Sequence, residues 1–354
     1  MVTYNHIICV GAVYIDTILT IPHFPIEDEK LRAQRLVRRR GGNTANTLEV
    51  LKQLLDQDDR YSNTTTRSYL HLLSVFPAKS SPDVQFIRDS LPAVNLDSSI
   101  FRPGCRDAAS SYILQNAENL SRTIVSVNEL PELTEHEFIS TLEALNSSDC
   151  EIPPLPPWRP GTFHFEGRIP DVTFACVRYL RKSAVYKDYK ISVECEKPER
   201  TGIIYAAQEA DIVFYSKLWA VKNGFANPRA FLEHQIANTR DNAILCVTWG
   251  AEGAVAVRKN SPNAEYDGRH GRDDMNEWAF SGGYVPATSG SAEEAMKVVD
   301  TIGAGDTFIA GILFGLERRD KSPLQHQLDF ACTLAGRKVY QEGFSGLGKQ
   351  MWNS

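Results

Sequence analysis

The sequence predicts an α/β fold in three layers, a parallel sheet covered by helices on both faces. Short apolar runs such as Ile7 to Val10 and Ile244 to Val247 have the composition of buried strands. Segments with apolar residues at helical spacing alternate with them, among them Thr44 to Leu55 and Ala304 to Leu316. Because strands that alternate with helices form parallel sheets with a helical layer on each side, the pattern predicts an αβα sandwich.

Two regions, about 14–40 and 108–127, interrupt this alternation. They are richer in strand-like residues and lack an intervening helix, so we expect them to form a small β-sheet lid that stands off the main body. The region 259–296 is polar and rich in Gly, Ser and Asp, which predicts a long surface insertion. Residues 1–354 are otherwise expected to form a single domain.

Composition excludes several classes of protein. The chain has 354 residues, of which 42 % are hydrophobic, enough for a large core and too many for a disordered protein. The formal net charge is −6, whereas a protein that binds duplex nucleic acid gathers a strongly basic face. We therefore expect no nucleic-acid partner.

The cysteines and the N-terminus indicate a cytoplasmic protein. The seven cysteines are scattered, odd in number and without a Cys-x-x-Cys pair, a pattern typical of reduced thiols rather than disulfides or a zinc site. The N-terminus lacks a basic segment before its apolar stretch, and Asp16 interrupts that stretch. We expect no signal peptide and no membrane partner.

One basic cluster, Arg38-Arg39-Arg40, runs directly into Gly41-Gly42. In one interpretation it is a solvated strand end, the usual fate of a short charge run. In the other it helps to attract an anionic ligand, since it leads into a glycine turn at the start of a predicted helix.

The strongest local signal is the string Asp-Thr-Ile-Gly-Ala-Gly-Asp-Thr-Phe, from Asp300 to Phe308. A small-residue turn followed at once by an apolar helix leaves backbone N–H groups and a positive dipole end for an anion such as phosphate. Asp306 lies where it could accept a proton from an attacking hydroxyl, and we expect the dipole to keep it ionised. Alternatively, Asp306 merely caps the helix. The P-loop string ending in Gly-Lys-Ser/Thr is absent.

This string resembles the C-terminal signature of the ribokinase-like (PfkB) carbohydrate kinases, and Gly-Gly-Asn-Thr-Ala-Asn at 41–46 resembles their N-terminal signature. Within that family, Phe163 to Arg168, Ser192 to Pro198 and Phe344 to Gly346 are similar to the ketohexokinases. The resemblance covers nearly the whole chain. It implies a ribokinase-like αβα fold with a β lid, ATP as phosphate donor, and a small sugar as acceptor.

The resemblance also implies roles for residues at matching positions. Asp16, Gly42, Asn43 and Asn46 would contact sugar hydroxyls, as carboxylate and amide groups are suited to do. The alternative is that Asn43 only caps a helix and Asp16 only shapes a turn. Asp306 would act as the base and would also contact the sugar.

For the nucleotide, the resemblance implies an anion hole made by Gly303, Ala304 and Gly305. Arg122 would reach the ATP phosphates, or else be an exposed strand arginine. The loop that borders the nucleotide would consist of Gly250, Ala251, Glu252 and Gly253; its alternative is an ordinary hairpin turn.

Magnesium is expected because it offsets charge on the ATP phosphates, but its ligands are not assigned. Many family members carry an Asn-x-x-Glu string for this purpose, and the corresponding stretch here, Ser216 to Trp219, has no such glutamate. Glu194 or Glu196 could help to hold the ion through water. Alternatively, either pairs with Lys197 or Arg200.

Taken together, the resemblance implies an ATP-dependent kinase that phosphorylates D-fructose at its C1 hydroxyl. Two alternatives stay open: a kinase of the same family for another sugar or a nucleoside, and a catalytically silent sugar or nucleotide sensor. The resemblance further implies a homodimer in which two β lids clasp each other.

Overall fold

The computed structural model describes residues 3–58, 66–119, 121–146, 161–260, 276–286, 297–318 and 322–352. Its strands are β1 Thr3–Val10, β2 Tyr14–Ile21, β3 Arg35–Gly41, β4 Thr66–Leu73, β5 Val75–Phe76, β6 Ile100–Phe101, β7 Ser110–Asn116, β8 Arg122–Val127, β9 Thr162–Phe165, β10 Lys190–Cys195, β11 Ile212–Ser216, β12 Ile244–Thr248, β13 Ala254–Arg258 and β14 Glu277–Ser281. Its helices are α1 Asn43–Gln57, α2 Pro82–Ser90, α3 Glu135–Leu145, α4 Pro170–Lys182, α5 Ile203–Gln208, α6 Lys217–Lys222, α7 Pro228–Ile236, α8 Ala304–Arg318, α9 Leu324–Val339 and α10 Leu347–Trp352.

The main sheet has eight strands in the order β14-β13-β12-β11-β10-β9-β1-β4. Six strands that are neighbours in this sheet, β4, β1, β9, β10, β11 and β12, run parallel to one another. Strands β13 and β14 continue the sheet in antiparallel pairings. From β1 the chain first places β4 on one side and then β9 to β12 on the other. The strand order therefore reverses between β1 and β9, and a crevice opens there at the carboxyl edge.

Two apolar cores lie on opposite faces of this sheet. One packs α1, α2, α8, α9 and α10 against the sheet through residues such as Leu48, Ile312 and Leu328. The other packs α3 to α7 through residues such as Phe138 and Val177. The three-layer αβα prediction is confirmed, and the alternation of buried strands with amphipathic helices accounts for it.

A second sheet of four strands has the order β3-β2-β7-β8. Strands β2 and β7 pair in parallel, while β3 and β8 flank them in antiparallel pairings. One face carries Tyr14, Asp16 and Ser111, which line the same cavity as the carboxyl edge of the main sheet. The polar residues of this sheet are thereby brought to that edge.

The expectation of a surface insertion over 259–296 needs correction in its described part. Glu277–Ser281 is strand β14 at the edge of the main sheet, paired with β13. Trp278 and Phe280 alternate with the fully buried Ala279, and Gln325 of α9 hydrogen-bonds both the N–H and the carbonyl of Phe280. The alternation of exposed and buried residues that marks this strand is short and lies in a polar region, so the sequence did not indicate a strand there. Residues 261–275 and 287–296 lie outside the described part.

Within the described segments of the chain, no helix has the length and apolar character needed to cross a membrane. Cys9, Cys176, Cys195, Cys246 and Cys332 are buried free thiols, and Cys105 is a partly exposed one. Burial raises the pKa of Cys9 and Cys195 well above the ordinary thiol value, so these groups are neutral and inert. Cys150 lies outside the described residues.

Candidate active site

A cavity of about 410 Å³ lies at the carboxyl edge of the main sheet, beneath the four-stranded sheet. The ends of β9 to β12 contribute one wall, which includes Glu166, Glu194, Ser216 and Thr248. The four-stranded sheet contributes the opposite wall, which includes Asp16, Ser111, Arg122 and Ser126. Because ligands of open parallel sheets bind in this crevice, the cavity is the candidate site.

The turn before α1 brings backbone and side chains very close together. Gly42 has φ 104°, and a Cβ there would lie 2.4 Å from the carbonyl oxygen of Ala12. A Cβ on Gly41 would lie 2.4 Å from Oδ2 of Asp16. Only glycine allows this conformation and this approach, so the glycine pair lets α1 begin with Asn43 at the cavity wall.

The turn before α8 has the same character. Gly303 has φ 81°, and a Cβ there would lie 2.4 Å from the ring of Phe344. The backbone hydrogen bond from Thr307 N to Gly303 O, 2.9 Å long, forms the first turn. The N–H groups of Gly305 and Asp306 precede that bond and have no acceptor within the helix. Gly305 lines the cavity, and a Cβ on it would meet nothing within 4 Å.

Asp306 is buried in the first turn of α8 and lines the cavity. Its Oδ2 accepts a 2.7 Å hydrogen bond from Nδ2 of Asn46, and its carbonyl accepts a 3.2 Å bond from the hydroxyl of Thr47. Asn46 and Thr47 belong to α1, so the two glycine turns deliver their helices to one point.

Asn43 is held by two carboxylates at the end of β10. Its Nδ2 donates to Oε2 of Glu194 at 3.1 Å and to Oε2 of Glu196 at 3.2 Å. Behind Glu194 lies the fully buried His164, whose Nε2 is 2.9 Å from Glu194 Oε1 and whose Nδ1 is 2.9 Å from the hydroxyl of Ser192. Burial lowers the pKa of His164 to about 4, so the ring is neutral near pH 7.

The carboxylates around the cavity raise one another's pKa values. Burial raises the pKa of Asp306 well above its ordinary value, and the negative charge of Glu194 raises it further; the bond from Asn46 opposes both, while Glu196 and Glu166 add to the rise. Burial likewise raises the pKa of Glu194. The expectation that the helix dipole keeps Asp306 ionised therefore misses the larger effect, the removal of water.

Asp300 anchors the loop that precedes α8. Its Oδ2 accepts hydrogen bonds from Arg39 of β3 at 3.0 Å and from the fully buried Lys338 of α9 at 2.8 Å. Its Oδ1 accepts a 2.9 Å bond from the N–H of Ile302. The two cations lower the pKa of Asp300 despite its burial. Strand β3 and helix α9 are thus both tied to the loop.

The structure brings most of the predicted site residues together. Those that line the cavity are Asp16, Gly42, Asn43, Asn46, Arg122, Gly303, Gly305 and Asp306. Arg122 reaches from β8 across the rim to the hydroxyl of Thr301 at 3.1 Å. Ala304 is the first residue of α8.

The loop Gly250 to Gly253 lies beside the cavity rather than in its wall. Gly250–Glu252 is a single 3₁₀ turn that follows the end of β12, whose last residue, Thr248, lines the cavity. Gly253 has φ 96°, and a Cβ there would lie 2.0 Å from the carbonyl oxygen of Ser281. The loop therefore forms the hairpin between β12 and β13 at the border of the site.

Several cavity residues had no site role in the sequence analysis: Tyr14, Ser111, Glu166, Arg168, Lys197, Arg200, Ser216 and Thr248. Glu166 accepts a 2.8 Å hydrogen bond from the N–H of Ala12, and Arg168 bonds the hydroxyl of Tyr14. A signal was present, because charged residues follow buried strands of a parallel sheet at 166–168 and 196–200. It was used only for the family resemblance.

The fold is ribokinase-like. A ribokinase of Cryptococcus neoformans, solved in complex with ADP, superimposes with a TM-score of 0.62 at 15 % identity, covering 99 % of both chains. A putative ribokinase from Agrobacterium tumefaciens gives a TM-score of 0.69 at 15 % identity, covering 99 % of this chain and 96 % of its own.

Sequence comparison finds similarity to carbohydrate kinases. Residues 287–347 match the pfkB family carbohydrate kinases. The chain is 26 % identical to mouse ketohexokinase over 351 residues, which span 97 % of this chain and 99 % of the relative. In sequence the chain thus resembles the PfkB carbohydrate kinases, and the resemblance inferred from the glycine strings is confirmed.

A side chain at Gly305 is expected to block the cavity without disturbing the fold. Gly305→Val projects into open space, where it would obstruct the approach of phosphate to the helix N-terminus. We expect turnover to collapse while the melting temperature stays near that of the parent. Gly315→Ala, on the same helix and away from the cavity, is the control. Retained activity with an unchanged KM for ATP would place the phosphate elsewhere.

We expect substitution of Glu194 to shift the acid limb of the pH profile of activity. Asp306 is the candidate base, and a base must be ionised to accept a proton, so we expect activity to fall as the pH drops through the raised pKa of Asp306. Glu194→Gln removes the negative charge that has the largest effect on the pKa of Asp306. The change should move the acid limb of kcat/KM to lower pH. Glu196→Gln should move it less in the same direction. A limb that stays in place or moves upward would contradict this electrostatic account.

Proposed function

We propose that the protein transfers the γ-phosphate of ATP to a hydroxyl of a small sugar, with Asp306 as general base. The observation that carries the proposal is the position of Asp306 in the cavity wall at the N-terminus of α8, with Oδ2 held by Asn46. Its other carboxylate oxygen, Oδ1, is the candidate to accept the proton. The adjacent N–H groups of the first helical turn face developing negative charge.

The proposed reaction is a direct displacement. The sugar hydroxyl oxygen attacks the γ-phosphorus, the bond from that phosphorus to the β–γ bridging oxygen breaks, and ADP leaves with the bonding electrons. The hydroxyl proton passes to Asp306. The chain's contribution is to orient the two reactants and to stabilise the charge between them, which is most of what phosphoryl transfer requires.

The cavity wall is suited to a nucleoside triphosphate. Arg122, Lys197 and Arg200 line it together with the N-terminus of α8, so cationic groups oppose the phosphate charge. We propose that Mg²⁺ arrives with ATP and shields that charge, with Glu194 or Glu196 helping to hold it through water. In the described part of the chain, no group of three or more His, Cys, Asp or Glu side chains is arranged to hold a metal ion.

D-fructose, phosphorylated at C1, is the sugar that we propose. Mouse ketohexokinase aligns along nearly the whole chain, and the strings that resemble ketohexokinases contribute Glu166, Arg168, Glu194 and Glu196 to the site region. The polar wall formed by Asp16 and Asn43 is suited to hydroxyl groups. A silent sensor would have no need to keep Asp306 at the start of the helix.

We also propose a homodimer formed through the four-stranded sheet. The face of this sheet away from the cavity exposes Tyr112, Val125 and Val127 at 50 %, 57 % and 48 %, and Leu36 at 64 %. In the register of the sheet Tyr112 pairs with Val125, and Val127 pairs with Ser110, so the three are contiguous. A clustered apolar face of this kind is typical of a contact surface, and a second copy of the same sheet would bury it.

The base is tested by Asp306→Asn. This change keeps the hydrogen bond from Asn46 possible but removes the proton acceptor, and we expect kcat to fall roughly 10²-fold or more. Sugar affinity, measured by calorimetry, should change less. The same variant should melt at a higher temperature near pH 7, because it removes a buried charge whose raised pKa costs stability above that pKa. Near-normal turnover would remove the assignment.

The substrate is tested by ADP release across ketoses, aldoses and nucleosides, with the phosphate position of the product determined by NMR. A pocket that bonds particular hydroxyls discriminates by about 1–3 kcal/mol for each buried group left unpaired. We expect kcat/KM for D-fructose to exceed that for ribose and glucose by a large factor, with phosphate on C1. A preference for ribose or a nucleoside, or phosphate on C6, would exclude fructose C1 specificity but leave the kinase.

The dimer is tested by light scattering at micromolar concentration, where we expect twice the mass of one chain. Val125→Glu places a charge in the apolar face and should give a monomer. Thr123→Glu, on the same strand and face but beyond the apolar cluster, is the matched control and should perturb assembly less. A parent protein that is monomeric under these conditions would exclude the proposed interface.

A further inference from the structure

The three consecutive arginines of β3 have different surroundings. Arg38 is exposed and pairs with Asp83 on the surface, and Arg39 bonds Asp300. Arg40 is only 5 % exposed and lies under the turn that starts α1. Its NH1 donates a 2.7 Å hydrogen bond to Oδ1 of Asn46, and its NH2 bonds the carboxylate of Glu49. A buried arginine in this position has a specific task, since burying its charge is costly.

The contact with Arg40 determines which way the amide of Asn46 points. A guanidinium group can only donate hydrogen bonds, and an ionised carboxylate can only accept them. The Asn46 amide lies between Arg40 and Asp306, with Oδ1 at 2.7 Å from Arg40 NH1 and Nδ2 at 2.7 Å from Asp306 Oδ2. Only this orientation satisfies both neighbours. If the amide turned over, its oxygen would face the carboxylate and its NH₂ group would face the guanidinium.

We propose that Arg40 is a positioning residue that holds Asn46 as a hydrogen-bond donor to Asp306 and thereby favours the ionised form of the base and holds it in the correct orientation. This inference rests on the proposed role of Asp306 as the base. Through it, Oδ2 of Asp306 is engaged by Asn46, and Oδ1 remains for the substrate hydroxyl.

The shape of arginine suits this task. Asn46 and Glu49 are three residues apart in α1 and therefore lie on the same face of the helix. The planar fork of Arg40 reaches both at once, with one nitrogen on each. Glu49 thus fixes the outer end of the guanidinium, and the inner end is left aimed at Asn46. Lysine offers a single ammonium group without a fixed fork.

The charged groups around Asp306 explain why its protonation depends on the hydrogen bond from Asn46. The groups whose charges act on Asp306 or on Arg40 come from six elements or their ends: Arg40 of β3, Asp16 of β2, Glu49 of α1, Glu166 after β9, Glu194 and Glu196 at the end of β10, and Lys338 of α9. Most are carboxylates, and those nearest Asp306 favour its protonated form. The hydrogen bond from Asn46 acts in the opposite direction, so its loss moves protonation of Asp306 to higher pH.

The test is the pH profile of kcat/KM for Arg40→Met, with Arg38→Met as the control on the same strand. Losing a hydrogen bond to a charged group should lower kcat/KM on the acid limb roughly tenfold and move that limb to higher pH. Arg38→Met should leave the profile unchanged. Arg40→Lys keeps the cation without the fork, so its limb should lie between those of the parent and Arg40→Met. It also serves if the methionine variant does not fold.

A readout independent of turnover uses melting temperatures. The difference in melting temperature between a protein and its Asp306→Asn counterpart, followed across pH, reports when Asp306 ionises in the folded state. We expect the midpoint of that difference to rise in Arg40→Met relative to the parent.

The outcomes separate the inference from the proposed function. If the midpoint and the acid limb of Arg40→Met both match those of the parent, Arg40 does not act on Asp306 and the inference is wrong. If the midpoint rises but the acid limb does not follow, Arg40 does hold Asp306, and it is the role of Asp306 as kinetic base that fails. If Asp306→Asn itself keeps full turnover, the proposed function fails whatever Arg40 does.

Discussion

The hydrogen bond between Asn46 and Asp306 joins the two halves of the site. The two residues are 260 positions apart in the chain, and each lies in the first turn of a helix that begins at a glycine turn. One turn brings the start of α1 beside the four-stranded sheet, which forms one wall of the cavity. The other brings α8 against the loop held by Asp300. The packing of α1 against α8 in one core sets the separation of the two helices, and the hydrogen bond between Asn46 and Asp306 depends on that separation.

The cost of this arrangement is buried negative charge. Asp306, Glu194 and Glu166 all lie at the carboxyl edge of the sheet, and burial raises the pKa of each. Such a cluster lowers stability near neutral pH, as is common where function requires an unfavourable local arrangement. Three cationic side chains, Arg122, Lys197 and Arg200, line the same cavity.

Much of the fold followed from the sequence because its signals are local. Alternating buried strands and amphipathic helices predicted the layers, and the two glycine strings marked the helix starts that meet in the cavity. Strand β14 was not predicted, since its alternation spans only Trp278 to Phe280 in a polar region. The carboxyl-edge residues Lys197 and Arg200 were not assigned, because their role depends on which strands become neighbours.

The arginines of β3 show where sequence reasoning ends. Side chains along a strand point alternately to the two faces of the sheet, so the sequence places Arg39 on the opposite face from Arg38 and Arg40. Arg39 pairs with Asp16 and shares its face. The same alternation does not distinguish Arg38 from Arg40, because these two residues share a face. Only the packing of α1 makes Arg40 buried and leaves Arg38 in solvent. The pKa of Asp306 was misjudged for a related reason, because the helix dipole is visible in the sequence and the neighbouring carboxylates are not.

The central claim is that Asp306 receives the hydroxyl proton beside a helix N-terminus that holds the transferring phosphate. A crystal structure with D-fructose, Mg²⁺ and a non-hydrolysable ATP analogue tests it most directly. We expect the C1 hydroxyl within about 2.6–3.2 Å of the Asp306 carboxylate, and the γ-phosphate against the N–H of Gly305. A sugar hydroxyl out of reach of Asp306, or a γ-phosphate bound away from the start of α8, would contradict the account.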